Sequence, residues 1–235
     1  MEEEAHSLIQ TNGTMDEQTF FDHLRVKTQA AFDQAPVKQL QKGLGRTWSY
    51  SICATPIRKN TGVIFGLNWG GGGEEDRDPK TGEVYIYPPQ AKMPDGADIG
   101  SYPFVQRSAP LLNEFLGVQD ISRLNYSNLC FFRTPSIAKL DDKDWEKSAP
   151  LFLEYVRYID APWLLMLGTS RLSIVSGLGL IENLSKHTAE QNGRTHRSYS
   201  GRIDGKPFMC VPHPNAQVPS VARRSLWAHA SGANA

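Results

Sequence analysis

The chain has 235 residues, 40% of them hydrophobic and 10% aromatic, enough to bury the core of one large domain or two small ones. Lys+Arg and Asp+Glu both number 25, so net charge gives no general affinity for nucleic acid, and no apolar run approaches the ~20 residues of a membrane helix. The three cysteines, Cys53, Cys130 and Cys210, form no CxxC pair, which argues against a structural zinc or an iron–sulfur cluster and suits reduced thiols in a cytoplasmic protein.

In chain order, residues 1–14 are polar and read as a flexible N-terminus, too acidic for a signal peptide. Asp16 is placed to cap a helix through about Ala35, with Phe20, Phe21, Leu24 and Phe32 near helical spacing and Pro36 closing it. Trp48, Tyr50 and Ile52 alternate as in a short edge strand. Val63, Ile64 and Phe65 then form an apolar run favoured as a strand, which breaks into Gly66-Leu67-Asn68-Trp69-Gly70 and three further glycines. A buried strand entering a glycine-rich loop marks the carboxyl end of a strand in an open α/β sheet, where ligands bind. Residues 74–100 carry turn chemistry throughout and read as a long insert beside that loop.

Tyr102-Pro103-Phe104 leads into a helix over about Val105 to Leu116, ended by Gly117. Leu124 to Phe132 reads as a second core strand carrying Asn128. Asp141 or Asp142 caps a helix to about Tyr158, Trp163 to Leu167 is a third strand, and Gly168-Thr169-Ser170 opens a further helix. Phe208 to Val211 is the fourth strand; it runs into Pro212-His213-Pro214-Asn215, and Ala222 to Ala230 is helical. Strands alternating with helices predict an α/β fold, a three-layer sandwich with a central four-stranded, mostly parallel sheet flanked by helices. The expected organisation is one domain over 15–230 with a flexible tail at 231–235.

Three core strands thus end in, or carry near their ends, one conspicuous polar group: Asn68, Asn128 and His213. Parallel pairing would bring all three to one rim of the sheet. Charge is also uneven: from Lys186 to Arg224 there are Lys186, Arg194, Arg197, Arg202, Lys206, Arg223 and Arg224 against only Glu190 and Asp204, a weak footprint of a polyanion partner.

These residues carry a resemblance. GLNWG resembles the G-[IM]-N-P-G water-activating motif of the uracil-DNA glycosylase superfamily, and SNLC at Ser127 to Cys130 resembles the HNLC segment of its single-strand-selective monofunctional branch. HPNAQVP at His213 to Pro219 is similar to that branch's HPSPRNP loop, and YPF followed by NEFLG to its PF segment and following helix. The similarities occur in the same order over about Val63 to Leu226.

The resemblance implies a monofunctional, metal-free and cofactor-free DNA glycosylase acting as a monomer. Asn68 would hold and polarise the attacking water, and His213 would donate to the departing base anion. Phe104 would stack on the flipped base and Asn128 would read its pairing edge, with Gly66, Leu67, Trp69 and Gly70 completing the base pocket. The loop from Pro214 through Asn215 and Gln217 to Ser220 would press into the duplex, with Arg223 and Arg224 on phosphates. The chain departs from the family in having Trp69 where the family has Pro, Gln217 or Val218 where the wedge loop has Arg, and 35 residues between Asn68 and Phe104 where the branch has roughly ten. The mouth formed by Gly70 to Gly73 cannot block a 5-substituent, so the expected substrate is either a 5-modified, bulky pyrimidine of phage type, in antiviral defence, or plain uracil, in repair, with the insert then a variable loop. A non-catalytic DNA- or nucleotide-binding module on the same fold is the alternative. The dinucleotide and P-loop signatures, the zinc-deaminase HxE and PCxxC, and the hydrolase GxSxG are all missing.

Overall fold

The computed structural model describes residues 15–43, 50–69, 92–96, 99–134 and 136–232. The expectations for the two termini, Trp48, the run Gly70 to Gly73 and most of the 74–100 insert lie outside the described residues.

Helix α1 (Glu17–Asp33) starts where the Asp16 carboxylate accepts the Thr19 amide at 2.8 Å, and it buries Phe20, Phe21, Leu24 and Phe32. Pro36 does not simply end it. It opens a second helix, α2 (Pro36–Gly43), because the missing N–H costs nothing in a first turn. Strand β1 (Val63–Gly66) follows. The single helix expected over 105–116 is two, α3 (Pro103–Gln106) and α4 (Ala109–Leu116). Pro110 cannot donate to the Gln106 carbonyl, so one continuous helix cannot form. Strand β2 (Asn125–Asn128) is shorter than expected. Helix α5 (Asp142–Ile159) has a reciprocal capping box between Asp141 and Asp144, and β3 (Leu164–Leu167) and the short α6 (Leu172–Gly177) come next.

The largest departure from the sequence reading is β4 (Ile181–Gln191) and β5 (Arg194–Ile203), a long antiparallel hairpin, followed by β6 (Lys206–Val211) and α7 (Ser220–Ser231). Among the described residues the sheet therefore holds six strands rather than four, in the order β2-β1-β3-β6-β5-β4. Neighbours from β2 to β6 pair in parallel, while β5 and β4 are antiparallel additions at one edge.

Strand periodicity divides the core. Phe65, Met166 and Cys210 join one apolar cluster with Phe21, Phe152 and Tyr155, whereas Ile64, Leu165 and Met209 join another with Val105, Leu112 and Trp227. Helical side chains thus pack on both faces, and each fully buried Phe or Leu contributes about 1.5–3 kcal/mol relative to exposure. The chain leaves β1 for β2 on one side and returns across β1 to β3 on the other. That reversal opens a crevice at the carboxyl ends of the parallel strands. Among the described residues no helix is long and apolar enough to cross a membrane.

Candidate functional site

Asn68, Phe104, Asn128 and His213 are separated by up to 145 positions in the chain, yet they line one cavity of about 150 Å³ at this crevice, together with Phe65, Gly66, Leu67, Tyr126, Ile137 and Leu167. A cavity of that volume holds a single six-membered ring, as an engineered apolar cavity of similar size holds benzene.

Asn128 closes β2 opposite Gly66 in the parallel register. It is only 2% exposed, and its carboxamide makes no hydrogen bond with the described residues. The absence of a side chain at Gly66 leaves room for this amide, because a Cβ there would displace Oδ1 of Asn128. A buried amide without a partner is costly unless something else satisfies it, and the cavity is what it faces.

Asn68 follows β1, and its amide orientation is fixed by chemistry. Nδ2 donates to the Thr134 carbonyl at 3.2 Å and to Thr134 Oγ1 at 2.8 Å. A carbonyl can only accept, and the Thr134 hydroxyl spends its own proton on the Ser136 carbonyl at 2.9 Å. Both bonds therefore demand the NH₂ end. Oδ1 is left without a hydrogen bond among the described residues, as an acceptor in the cavity wall. Sequence reading missed Thr134, which lies in irregular chain after β2 and meets Asn68 only through the fold.

His213 follows β6 and is defined just as firmly. Its Nδ1 lies 3.2 Å from the Asn215 backbone N–H, which can only donate, so Nδ1 accepts and Nε2 carries the ring proton in the neutral form. Burial holds its pKa below the usual imidazole range, helped by the nearby Arg223 and Arg107 cations. The ring is thus neutral at pH 7 and a hydrogen-bond donor. Gly168, at the end of β3, donates its amide to the Val211 carbonyl at 2.8 Å and approaches His213 without a side chain.

The Phe104 ring lies 5.6 Å from Tyr126 and 6.0 Å from His213. Tyr126, which the sequence reading passed over, sits two residues before Asn128 and so on the same face of β2. Burial and the neighbouring Tyr102 push its phenol up to about 12, so it stays protonated. Trp69 packs edge-on to Tyr126 at 5.8 Å and does not line the cavity itself; its indole N–H is buried with no hydrogen-bond partner among the described residues. Gly70 lies outside the described residues.

The residues expected to touch DNA divide. Arg223 donates to the carbonyls of His213 and Ala216, bracing the loop from within. Asn215 binds Arg107 through its side chain and His213 through its amide. Arg224 pairs with Glu114. Pro214 is half-buried, whereas Gln217 and Ser220 are exposed, the latter at the first position of α7. Among the described residues no group of acidic, His and Cys side chains could hold a metal ion. The three cysteines are buried and none is in a disulfide. Neither a scan against models of known protein families nor a search of curated proteins finds a match to this chain.

Proposed function

We propose that this chain is a monofunctional DNA glycosylase that takes an extruded pyrimidine into the cavity and hydrolyses its N-glycosidic bond, on a three-layer scaffold of the uracil-DNA glycosylase kind. The observation that carries the reading is the convergence of an oriented amide acceptor, a neutral imidazole donor, a carboxamide with no hydrogen bond to the described residues and an aromatic face on one ring-sized cavity. Phe104 stacks on the base, and Asn128 supplies the complementary donor and acceptor for its pairing edge. The C1′–N bond breaks with its electron pair going to the base, and the N–H at Nε2 of His213 stabilises the anion as it forms. Water held by Oδ1 of Asn68 adds to the sugar cation, and its proton ends on the released base. No lysine lines the cavity among the described residues, which supports hydrolysis over a lyase reaction.

The test is mass-spectrometric base release from DNAs containing uracil, hydroxymethyluracil, thymine, cytosine, or hydroxymethyl- and glucosyl-hydroxymethylcytosine, with wild type and Asn68→Ala. Release of one pyrimidine, lost in Asn68→Ala, is expected. Uracil alone would make this a repair enzyme, whereas a bulky modified base would make it a defence enzyme. Release of nothing from any DNA would leave a binding module and overturn the proposal.

A further inference from the structure

The basic stretch noted in the sequence resolves into two groups. Lys206 pairs with Asp160, Arg224 with Glu114, Arg202 donates to the Gly205 carbonyl, and Arg223 braces the loop after β6. Those four cations serve the protein itself. The remaining three, Lys186, Arg194 and Arg197, are exposed and have no ion-pair or hydrogen-bond partner among the described residues, and all three lie on the β4–β5 hairpin.

That hairpin is placed to reach past the site. β5 pairs with β6 from Ile203↔Lys206 to Tyr199↔Cys210, and its residues Arg194 to Ser198 then run on beyond the last of those pairs. At ~3.3 Å per residue this is about 16 Å of strand. Because the two strands are antiparallel, the extension runs alongside the carboxyl end of β6, the rim that carries His213. It is held firm there. Ser198 Oγ donates to the Leu226 carbonyl, and the Ala222 amide donates to Gln191, so α7 backs one face of the hairpin. Lys186 and Arg197 alternate onto the other face, together with Glu190, and Arg194 sits at the tip.

Between the extension and the loops after β3 and β6 lies a second cleft of about 450 Å³. Its walls include Thr169, Ser170, Thr195, Arg197 and Gln217, and it shares His213 with the base cavity. Hydroxyl, amide and guanidinium groups are the donors that phosphodiester oxygens accept from. We propose that the β4–β5 hairpin is a DNA-gripping arm, in which Lys186, Arg194 and Arg197 neutralise backbone phosphates and the cleft seats the strand that flanks the extruded nucleotide. The arm rests on the reading of DNA as partner, but not on base hydrolysis.

The experiment measures binding of a fluorescein-labelled 21-mer duplex with one central tetrahydrofuran abasic analogue, by anisotropy, across a potassium chloride series. Full-length wild type is compared with Lys186→Gln/Arg194→Gln/Arg197→Gln and with a charge-matched control, Lys27→Gln/Lys38→Gln/Lys143→Gln. Each phosphate contact contributes about 0.9 to the slope of log K on log salt, so the hairpin variant should lose about 2–3 in slope and bind about tenfold or more weakly near 0.1 M salt. The control should keep its slope. An unchanged slope in the hairpin variant overturns the arm, as does an equal loss in both variants. So does an unchanged slope with increased light scattering, since the cations would then only protect an exposed sheet edge. The duplex contains no base to release at its centre, so binding is scored independently of base release on the uracil and modified DNAs. A protein that grips DNA through the hairpin but releases nothing would sink the glycosylase reading alone.

Discussion

Replacing Thr134 with Val tests whether the orientation of Asn68 matters. The change keeps the shape of the side chain and the carbonyl at 3.2 Å, but removes the hydroxyl that accepts from Nδ2 at 2.8 Å. One intramolecular hydrogen bond contributes about 1 kcal/mol, so the preference of the amide for presenting Oδ1 to the cavity should weaken about fivefold. Single-turnover base release should therefore slow in Thr134→Val, by up to about fivefold. Asn68→Ala, which removes the acceptor outright, should lose about 10²–10³. Thr134→Ser keeps the hydroxyl and should react like wild type. The double variant Asn68→Ala/Thr134→Val should be no slower than Asn68→Ala alone, because both act through one group. A Thr134→Val enzyme at the wild-type rate, alongside an inactive Asn68→Ala, would refute the idea that this bond aims the catalytic amide.

Two further outcomes follow from the geometry. Gly66→Ala drives a methyl into Oδ1 of Asn128 and should cost about 1–3 kcal/mol in a denaturant melt while abolishing base release; a fully active Gly66→Ala would mean that Asn128 is not used. For His213, a folded-state pKa below the ordinary imidazole value means that the folded protein binds fewer protons than the unfolded chain once the pH falls below about 6.5. The His213 contribution to stability is thus complete above that value and is lost as the pH falls through the depressed folded pKa. The melting temperature of wild type should drop more steeply on acidification than that of His213→Gln, and ¹H–¹⁵N long-range spectra at pH 7 should place the ring proton on Nε2. An Nδ1-protonated ring would contradict the Asn215 bond.

Much of the site was legible in the sequence because it lies at interruptions. Asn68, Asn128 and His213 are polar groups where apolar strands stop, and parallel pairing of those strands is enough to gather them. Tyr126 was equally legible, since period-2 alternation puts it on the face of Asn128. Thr134 was not: it lies in irregular chain, and nothing local states that this chain folds back to Asn68. The β4–β5 hairpin is a different case. Its turn, Asn192-Gly193, and the Asp204-Gly205 turn that joins β5 to β6 have all four residues at positive φ, the pairing that two-residue hairpins favour. What hid the strands was their composition. Of β4 and β5 only Ser198 and Ile203 are buried, so neither face shows the apolar alternation by which strands are recognised. Among the basic residues, sequence could not separate the four that hold the protein together from the three that face outward, because that distinction depends on Asp160, Glu114 and backbone carbonyls brought in from elsewhere.

The charge of the cavity constrains the reaction proposed for it. None of its described lining residues is acidic, Lys or Arg, and its one imidazole is held neutral. A concerted attack would need a base strong enough to take a proton from water as the bond breaks, and a carboxamide is not one. A path in which the base departs first needs only dipoles, and these are present: an N–H where negative charge grows, and an oriented C=O for the water that captures the sugar. Such a path leaves a positive sugar between the negative base and the phosphates of its own strand. Cations beside the cavity would oppose that charge. Arg223 and Arg107, the cations near His213, are tied to loop carbonyls and to Asn215 and do not line the cavity. In the proposed arrangement Lys186, Arg194 and Arg197 lie on a hairpin at the far side of β6, where they can hold phosphates flanking the nucleotide while staying out of the cavity in which the sugar cation forms.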